Sequence, residues 1–345
     1  MKSRITFDLL GSTGSIGEQA IDVARQTGAR INSICACRND KRVEEQAREF
    51  KPAFCAMADE KAAKSLKLRL ADTNIKVFSG SEGIEDMIAE SSAKITLNAV
   101  LGEAGLMPTI VAIKSGKALA LANKESLVVA GEIVMKLVDE YHTKLTPVDS
   151  EHCAIHQCLK AGKPKEVKKL IVTASGGPFF GKSKEELWNV TAKEALAHPT
   201  WSMGAKITVD SATLMNKGFE LIEASRLFGI DMDRIEAIVH RESIIHSMVE
   251  YIDNSVMAQM SLPDMRFCIA YGLCGGSRIK AVVDELNLSQ ITKLTFHQPD
   301  EQSFPLLALA KECGKIGGGL PAVLNAANEI AVDAFLKENI LFGDI

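Results

Sequence analysis

Over residues 1–149 the chain alternates between two hydrophobic periods, and no other feature limits its fold as much. Short β-rich runs fall at 4–10, 31–36, 53–57, 75–78, 94–99, 117–121 and 144–148. Between most of them lie helical patterns such as Val43, Ala47 and Phe50, or Ile84, Met87 and Ile88. Strands separated by helices pair in parallel, and the helices cover both faces. The expected fold is α/β, with an N-terminal Rossmann-like, doubly wound parallel sheet. Residues 125–141, ESLVVAGEIVMKLVDEY, read as an amphipathic helix.

After Asp149 the pattern changes. A helix over 151–161 leads to the strand-like run KKLIVTAS at 168–175, then to a loop-rich stretch. One long helix is expected over 211–228, followed by β-like runs at 235–239, 246–251 and 255–261. These predict a central α/β domain with some antiparallel strands. Residues 277–302 are polar and weakly patterned, and from Phe304 the pattern is helical. Leu324, Ala327, Ile330, Ala331, Ala334 and Phe335 form one apolar stripe. The expected division is 1–149 for a cofactor, 150–276 for catalysis, 277–302 as a linker and 303–345 as a helical segment. Two helices alone cannot bury their stripes, so they must dock or have further helices.

Charge and hydropathy narrow the function. Lys plus Arg number 40 against 44 Asp plus Glu, a net charge of -4, which speaks against binding nucleic acid through bulk positive charge. No run of about 18 apolar residues occurs, so no spanning helix is expected. Asp8 and the following glycines cut the N-terminal apolar run too short for a signal peptide. The expectation is a soluble, cytoplasmic protein without membrane or nucleic-acid partners. The eight cysteines contain no C-x-x-C pair and no zinc-finger spacing, so they read as buried, reduced thiols.

The segment ITFDLLGSTGSIGEQAIDVARQTG reads as strand, glycine turn and helix, with Gly11, Gly14 and Gly17 spaced G-x-x-G-x-x-G. Glycines there let the backbone approach a pyrophosphate at the positive end of the helix. Ser15 and Glu18 fit a capping box. The second strand ends in Cys37-Arg38-Asn39 rather than in an acid. Arg38 can pair with a 2′-phosphate, which favours NADPH over NADH. Asp40, slightly further on, keeps that choice open.

Asp149-Ser150-Glu151 lies just past the seventh run, where open parallel sheets bind ligands. Residues i and i+2 of an extended chain point to one side, and two carboxylates there repel unless they share a cation. Oxygen-only ligands suit Mg²⁺ or Mn²⁺. An ordinary helix start, with Asp149 or Ser150 as N-cap, explains the residues equally well. His152 and His156 stand at i, i+4 without a third partner, so a structural or surface role is expected. On the helix expected over 211–228, Asn216, Lys217 and Glu220 share a face, with Ser211 near the start where anions are favoured. A small phosphorylated substrate can rest there, or Lys217 and Glu220 can be a surface pair. ASGGPF at 174–179 can present amides and a hydroxyl to phosphate. HPTWSMG at 198–204 is either a water-excluding lid or a buried Trp corner.

GSTGSIG, LANKESLV (121–128), PVDSEH (147–152), ASGGPF, HPTWSMG, VDSATLMNKGFE (209–220) and LNAANEIAV (324–332) occur in this order. Together they resemble the 1-deoxy-D-xylulose 5-phosphate reductoisomerase family. The resemblance implies an enzyme of non-mevalonate isoprenoid biosynthesis, using NADPH and divalent Mn²⁺ or Mg²⁺. Such an enzyme converts 1-deoxy-D-xylulose 5-phosphate, a phosphorylated ketose, to 2-C-methyl-D-erythritol 4-phosphate by skeletal rearrangement and then hydride reduction. The competing reading is an NADPH-dependent dehydrogenase of semialdehyde or homoserine type, which gives no work to the three carboxylates.

The resemblance further implies that Asp149, Glu151 and Glu220 hold the metal. Lys124, Ser150, Glu151, Ser175, His198, Trp201, Ser211, Asn216, Lys217 and Glu220 match substrate contacts, with Lys124, Glu151 and His198 as the catalytic set. Gly11, Thr13, Gly14, Ser15, Ile16, Arg38, Asn39, Asn123, Glu125 and Gly204 match cofactor contacts. A homodimer is implied as well. The chain departs from the family pattern in three places. Cys37 stands where many members have Gly, and His240-Arg241-Glu242-Ser243 stands where many read H-P-Q-S. The family also continues for some tens of residues beyond FGDI, so the helical segment is expected to be incomplete.

Overall fold

The computed structural model describes residues 5–201 and 203–345. Residue 4 of the first expected strand and Ser202 of the HPTWSMG run lie outside the described residues. The chain divides into two compact units, each with its own hydrophobic core. The first holds residues up to Ser126, Glu132–Cys153 and Asp264–Asp284. The second holds Leu127–Gly131, Ala154–Pro263 and Glu285–Ile345.

The sheet of the first unit contains β1 (Thr6–Leu10), β2 (Arg30–Ala36), β3 (Phe54–Met57), β4 (Lys76–Ser79), β5 (Ile95–Asn98), β6 (Ala118–Leu121) and β7 (Leu145–Pro147). All pairs are parallel, in the order β4-β3-β2-β1-β5-β6-β7. Helices α1 (Ser15–Thr27), α2 (Asp40–Phe50), α3 (Glu60–Arg69), α4 (Gly80–Glu90), α5 (Leu106–Lys114) and α6 (Glu125–Glu140) make the connections. The winding reverses between β1 and β5, which opens a crevice at the carboxyl ends of the strands. Phe7, Leu9, Leu10, Ile31 and Ile34 are fully buried, because helices shield both faces of this sheet.

The central strand also buries a charge. Asp8 is inaccessible to solvent, and Lys117 donates from Nζ to its Oδ2 at 3.0 Å. The same ammonium donates to the carbonyls of Ser91 (2.7 Å) and Ala93 (2.9 Å). Ser33 (2.7 Å) and Ser91 (2.5 Å) donate their hydroxyls to Asp8 Oδ1. Every oxygen and proton of the pair is therefore engaged, the condition under which a buried ion pair is tolerated.

In the second unit, β8 (Val167–Ala174), β9 (Ile235–Val239), β10 (Ile245–Tyr251) and β11 (Val256–Met260) form a sheet ordered β11-β10-β8-β9. β8 and β9 are parallel, and β10 runs antiparallel to both β8 and β11. Helix α7 (Ser150–Cys158) precedes this sheet in the chain, and the short helices α8 (Lys184–Leu187) and α9 (Ala192–Ala195) follow β8. The helix expected over 211–228 is instead two helices, α10 (Ala205–Ala212) and α11 (Met215–Phe228). Leu214 separates them in a left-handed conformation, φ 61°. No glycine or proline marks that break, so the periodicity ran through it.

Helix α12 (Met265–Leu273) belongs to the first unit, where it packs against α1. A Cβ on its Gly272 would stand 2.8 Å from Val148 Cγ2, so only glycine allows this approach. Helices α13 (Pro305–Ile316) and α14 (Leu320–Leu336) close the second unit. Helix α14 buries Pro321, Leu324, Asn325, Asn328, Val332 and Phe335, whereas Ile330 is 72% exposed. The expected stripe is thus rotated. Its inner face includes Asn328, whose Nδ2 donates to Asp210 Oδ1 at 2.8 Å, and pattern reading counts asparagine as outward-facing.

Five of the eight cysteines are buried as expected, but Cys37 is exposed. Burial pushes the thiols of Cys35 and Cys55 up to about 12, which removes them from thiolate chemistry.

Candidate functional site

The turn after β1 is built by its glycines. Gly11 sits at φ 80°, and its N–H and that of Ser12 both donate to the carbonyl of Cys35. A Cβ at Gly11 would lie 2.4 Å from Ala99 O, and one at Gly17 only 2.2 Å from Gly11 O. Gly14 is the N-cap of α1, and no side chain caps the helix. The expected Ser15–Glu18 capping box is therefore absent. Glu18 instead accepts from Arg42 Nε and Nη2, each at 2.7 Å, because a bidentate arginine outcompetes a backbone amide. The helix N-terminus stays open, as anion binding requires. Thr13 and Ile16 are partly buried, while Gly14 and Ser15 are exposed.

Arg38 and Asn39 follow β2 on the surface. The Arg38 side chain is 83% exposed, and Asp59 is its nearest carboxylate at 4.0 Å. Asn39 caps α2 by accepting from Arg42 N. Asp40 is turned toward α3, accepting from Ser65 Oγ at 2.6 Å and Arg69 Nε at 3.1 Å. These bonds, that of Ser65 foremost, hold its carboxyl below the usual range. Asp40 is thus engaged elsewhere, and Arg38 is the charge presented at the end of β2.

A buried amide network shapes the neighbouring loop. Asn98 Nδ2 donates to Gly105 O and Thr109 Oγ1, both at 2.8 Å. Asn123 Nδ2 donates to Val100 O and Gly102 O, both at 2.8 Å, and to Glu125 Oε2 at 3.0 Å. Its Oδ1 accepts from Ser126 N at 3.0 Å. The side chain of Asn123 therefore holds the 99–105 loop, whose Ala99 carbonyl stands against Gly11. Sequence reading missed Asn98 and Thr109, since one buried amide in an apolar strand leaves no periodic signal.

Beyond β7, the helix-start reading of Asp149 holds, and its second oxygen meets an ammonium. Oδ1 caps α7, accepting from Glu151 N (3.0 Å) and His152 N (3.2 Å). Oδ2 accepts from Lys124 Nζ at 3.0 Å. Ser150 Oγ donates to Glu151 Oε2 at 2.5 Å. His152 is fully buried, with Nδ1 2.9 Å from Asp149 Oδ1, so a surface role is excluded.

In the second unit, Ser175 follows β8. Its Oγ accepts from Gly177 N at 3.3 Å and stands 3.0 Å from His198 Nε2. His198 Nδ1 accepts from Thr200 N (3.1 Å) and Trp201 N (2.9 Å). With Nδ1 accepting, the ring proton belongs on Nε2, so His198 donates to Ser175. Burial, then the charge of Arg241, holds His198 below the ordinary imidazole range. The Trp201 ring is partly buried, 6.2 Å from that of His246, and Gly204 is the exposed N-cap of α10.

Ser211 lies at the end of α10, not near a helix start as expected, because of the break at Leu214. The positive helix end falls instead at Met215, Asn216 and Lys217, the first turn of α11. A Cβ at Gly177 would stand 2.6 Å from Ser211 O, so the turn after β8 and the end of α10 are in contact. Asn216 Nδ2 donates to Glu220 Oε1 at 2.6 Å, and Lys217 Nζ donates to Glu220 Oε2. Lys217 and Glu220 are 4% and 1% exposed, which removes the alternative of a surface salt bridge. Glu223, one turn on, is a further buried carboxylate that sequence reading passed over. Its i, i+3 spacing from Glu220 is the signal that could have found it.

Comparison with known proteins agrees along the chain. Residues 7–131 match the family described as 1-deoxy-D-xylulose 5-phosphate reductoisomerase, 145–228 its C-terminal domain, and 260–345 the DXP reductoisomerase C-terminal domain. The reductoisomerase of Acetivibrio thermocellus is 51% identical over 345 residues, covering 100% of this chain and 90% of that one. The enzyme of Clostridium botulinum strain Hall is 50% identical over 338 residues, 97% and 88% of the two chains. Among solved structures, the Zymomonas mobilis reductoisomerase in complex with NADPH superposes with a TM-score of 0.93 at 42% identity, covering 99% and 89%. A DOX-P reductoisomerase in complex with NADPH, fosmidomycin and magnesium gives 0.94 at 39% identity, covering 98% and 86%.

Proposed function

The chain belongs to the 1-deoxy-D-xylulose 5-phosphate reductoisomerase family, and on that premise we propose how its residues divide the work. It is an NADPH- and divalent-metal-dependent oxidoreductase that converts 1-deoxy-D-xylulose 5-phosphate to 2-C-methyl-D-erythritol 4-phosphate. The observation that carries the residue assignment is the buried face of Asn216, Lys217 and Glu220. A plain dehydrogenase has no use for it.

Gly11, Thr13, Gly14, Ser15 and Ile16 take the cofactor pyrophosphate, with Arg38 and Asn39 on its 2′-phosphate. The uncapped start of α1 fits this role. Asn123 contributes by holding the adjacent loop, with Glu125 and Gly204 as further contacts. Bound NADPH supplies the hydride for the reduction. Asp149, Glu151 and Glu220 are the metal ligands, and their all-oxygen donors suit Mg²⁺ or Mn²⁺. Held by these three carboxylates, a divalent ion would supply Lewis-acid stabilisation of charge on the ketose oxygens.

The other residues bind and orient. Lys124 fixes the Asp149 carboxylate and faces the substrate together with Ser150. Ser175, Ser211, Asn216 and Lys217 hold the phosphate, whose distance from the reacting carbons lets binding energy set register. His198, protonated on Nε2, is a donor rather than a general acid in this arrangement, and Trp201 excludes water. A homodimer belongs to the same proposal, supported by exposed Val256 and Met257 on the edge strand β11. Cytoplasmic residence does too. No helix among the described residues is long and apolar enough to cross a membrane.

The test follows NADPH oxidation with 1-deoxy-D-xylulose 5-phosphate and Mn²⁺. Turnover is expected, and chelation should abolish it. Activity that survives chelation contradicts the metal role. In the same assay Arg38→Ala should raise the KM for NADPH about tenfold, the scale of one charge-assisted contact, with little effect on NADH. Equal changes for both cofactors would remove Arg38 from the 2′-phosphate.

A further inference from the structure

We propose that Arg241 is a positioning residue for the phosphate subsite, fixing the Ser175–Gly177 turn and strengthening its anion-binding donors. This rests on the reading that Ser175 meets the substrate phosphate.

Arg241 lies in the connection between β9 and β10, and its Nη1 donates to Ser175 O and to Gly177 O, both at 2.7 Å. Gly176 and Gly177 are consecutive left-handed residues, φ 78° and 64°. Besides the bond from Gly177 N to Ser175 Oγ, the turn is gripped through its carbonyls, and one nitrogen holds the first and third. The guanidinium is itself held in place, with Cζ 5.0 Å from the centroid of the Phe180 ring.

The bond to Ser175 O reaches the donor side of the turn. That carbonyl shares its peptide group with the Gly176 N–H, so a cation on the oxygen polarises the N–H. No hydrogen bond from Gly176 N is found among the described residues. Ser175 Oγ already accepts from Gly177 N and from His198 Nε2, which leaves the hydroxyl proton to be donated outward.

The carboxylate of adjacent Glu242 acts on this charge but makes no ion pair with it. Adjacent Glu242 is engaged by Thr295, through N at 3.1 Å and Oγ1 at 2.8 Å. Arg241 forms no ion pair among the described residues. A half-buried cation behind a turn of amides and a hydroxyl favours an anion in front of it.

The experiment compares wild type with Arg241→Met, Arg241→Lys and Ser175→Ala. It reads the Ki of inorganic phosphate against the ketose, the ketose KM, kcat, and the Kd for NADPH. Arg241→Met should raise both Ki and KM about tenfold, lower kcat by less than about threefold, and leave NADPH binding unchanged. Arg241→Lys, which keeps the charge but not the fork, should recover part of the loss. A wild-type Ki in Arg241→Met alongside a raised Ki in Ser175→Ala overturns the inference and leaves the phosphate pocket standing. A wild-type Ki in both overturns the pocket as well. Should Arg241→Met fail to fold, Arg241→Gln, which removes the charge, decides: a Ki raised several-fold supports the proposal, and a wild-type Ki overturns it.

Discussion

Glu220→Gln is expected to lose about a thousandfold in turnover while binding NADPH as the wild type does. The substitution keeps the shape of the side chain and an acceptor for Asn216 Nδ2. It removes the negative charge that the metal assignment requires. Lewis-acid stabilisation is worth several kcal/mol, and about 4 kcal/mol is a thousandfold in rate. The glycine turn proposed for the cofactor lies in the other unit, so the Kd for NADPH should stay within about threefold. Because Lys217 loses its buried partner, the variant will also be less stable, and its folded fraction has to be measured. Glu220→Asp separates the two effects. It keeps the charge, withdraws the carboxylate by one methylene, and should still lose most activity. Turnover within tenfold of wild type in both variants would take Glu220 out of the ligand set.

Lys117→Met should cost the first unit a large part of its stability. It strands Asp8, fully buried on the central strand, with two serine hydroxyls and no cation. Removing one partner of a buried pair costs about 3–5 kcal/mol, roughly 10 °C in melting temperature for a unit of this size. Asp8→Leu combined with Lys117→Met should regain only part of that loss, since it removes the stranded charge but leaves the Ser91 and Ala93 carbonyls and the Ser33 and Ser91 hydroxyls without these partners. A single variant within about 1 kcal/mol of wild type in urea melts would show that water or local rearrangement relieves the charge. The site residues are untouched, so a folded Lys117→Met should turn over normally.

The first sheet was legible because each strand is a short apolar run between helices, and the order of such runs largely dictates the winding. The glycine turn was legible for a related reason, since only glycine fits against Ala99 and Ser12. What remained hidden depends on long-range packing. The run FCIAYGL says only that a helix is buried, not that it packs against α1. Leu214 breaks a helix with no turn residue to announce it, and that moves the positive helix end from the neighbourhood of Ser211 to Met215–Lys217. Asn328 faces inward because Asp210, far away in sequence, offers an acceptor. Arg241 is visible in the sequence as a departure from the family pattern, but its carbonyl partners appear only once β8 and β9 are paired.

The central claim is that Asp149, Glu151 and Glu220 hold one divalent ion. Crystals of the protein grown with Mn²⁺, measured for anomalous scattering at the manganese edge, address it directly. The predicted result is a single peak about 2.1–2.2 Å from a carboxylate oxygen of each of the three residues, absent in Glu220→Gln. A peak coordinated by other side chains, or three carboxylates that do not converge on one ion, would contradict it.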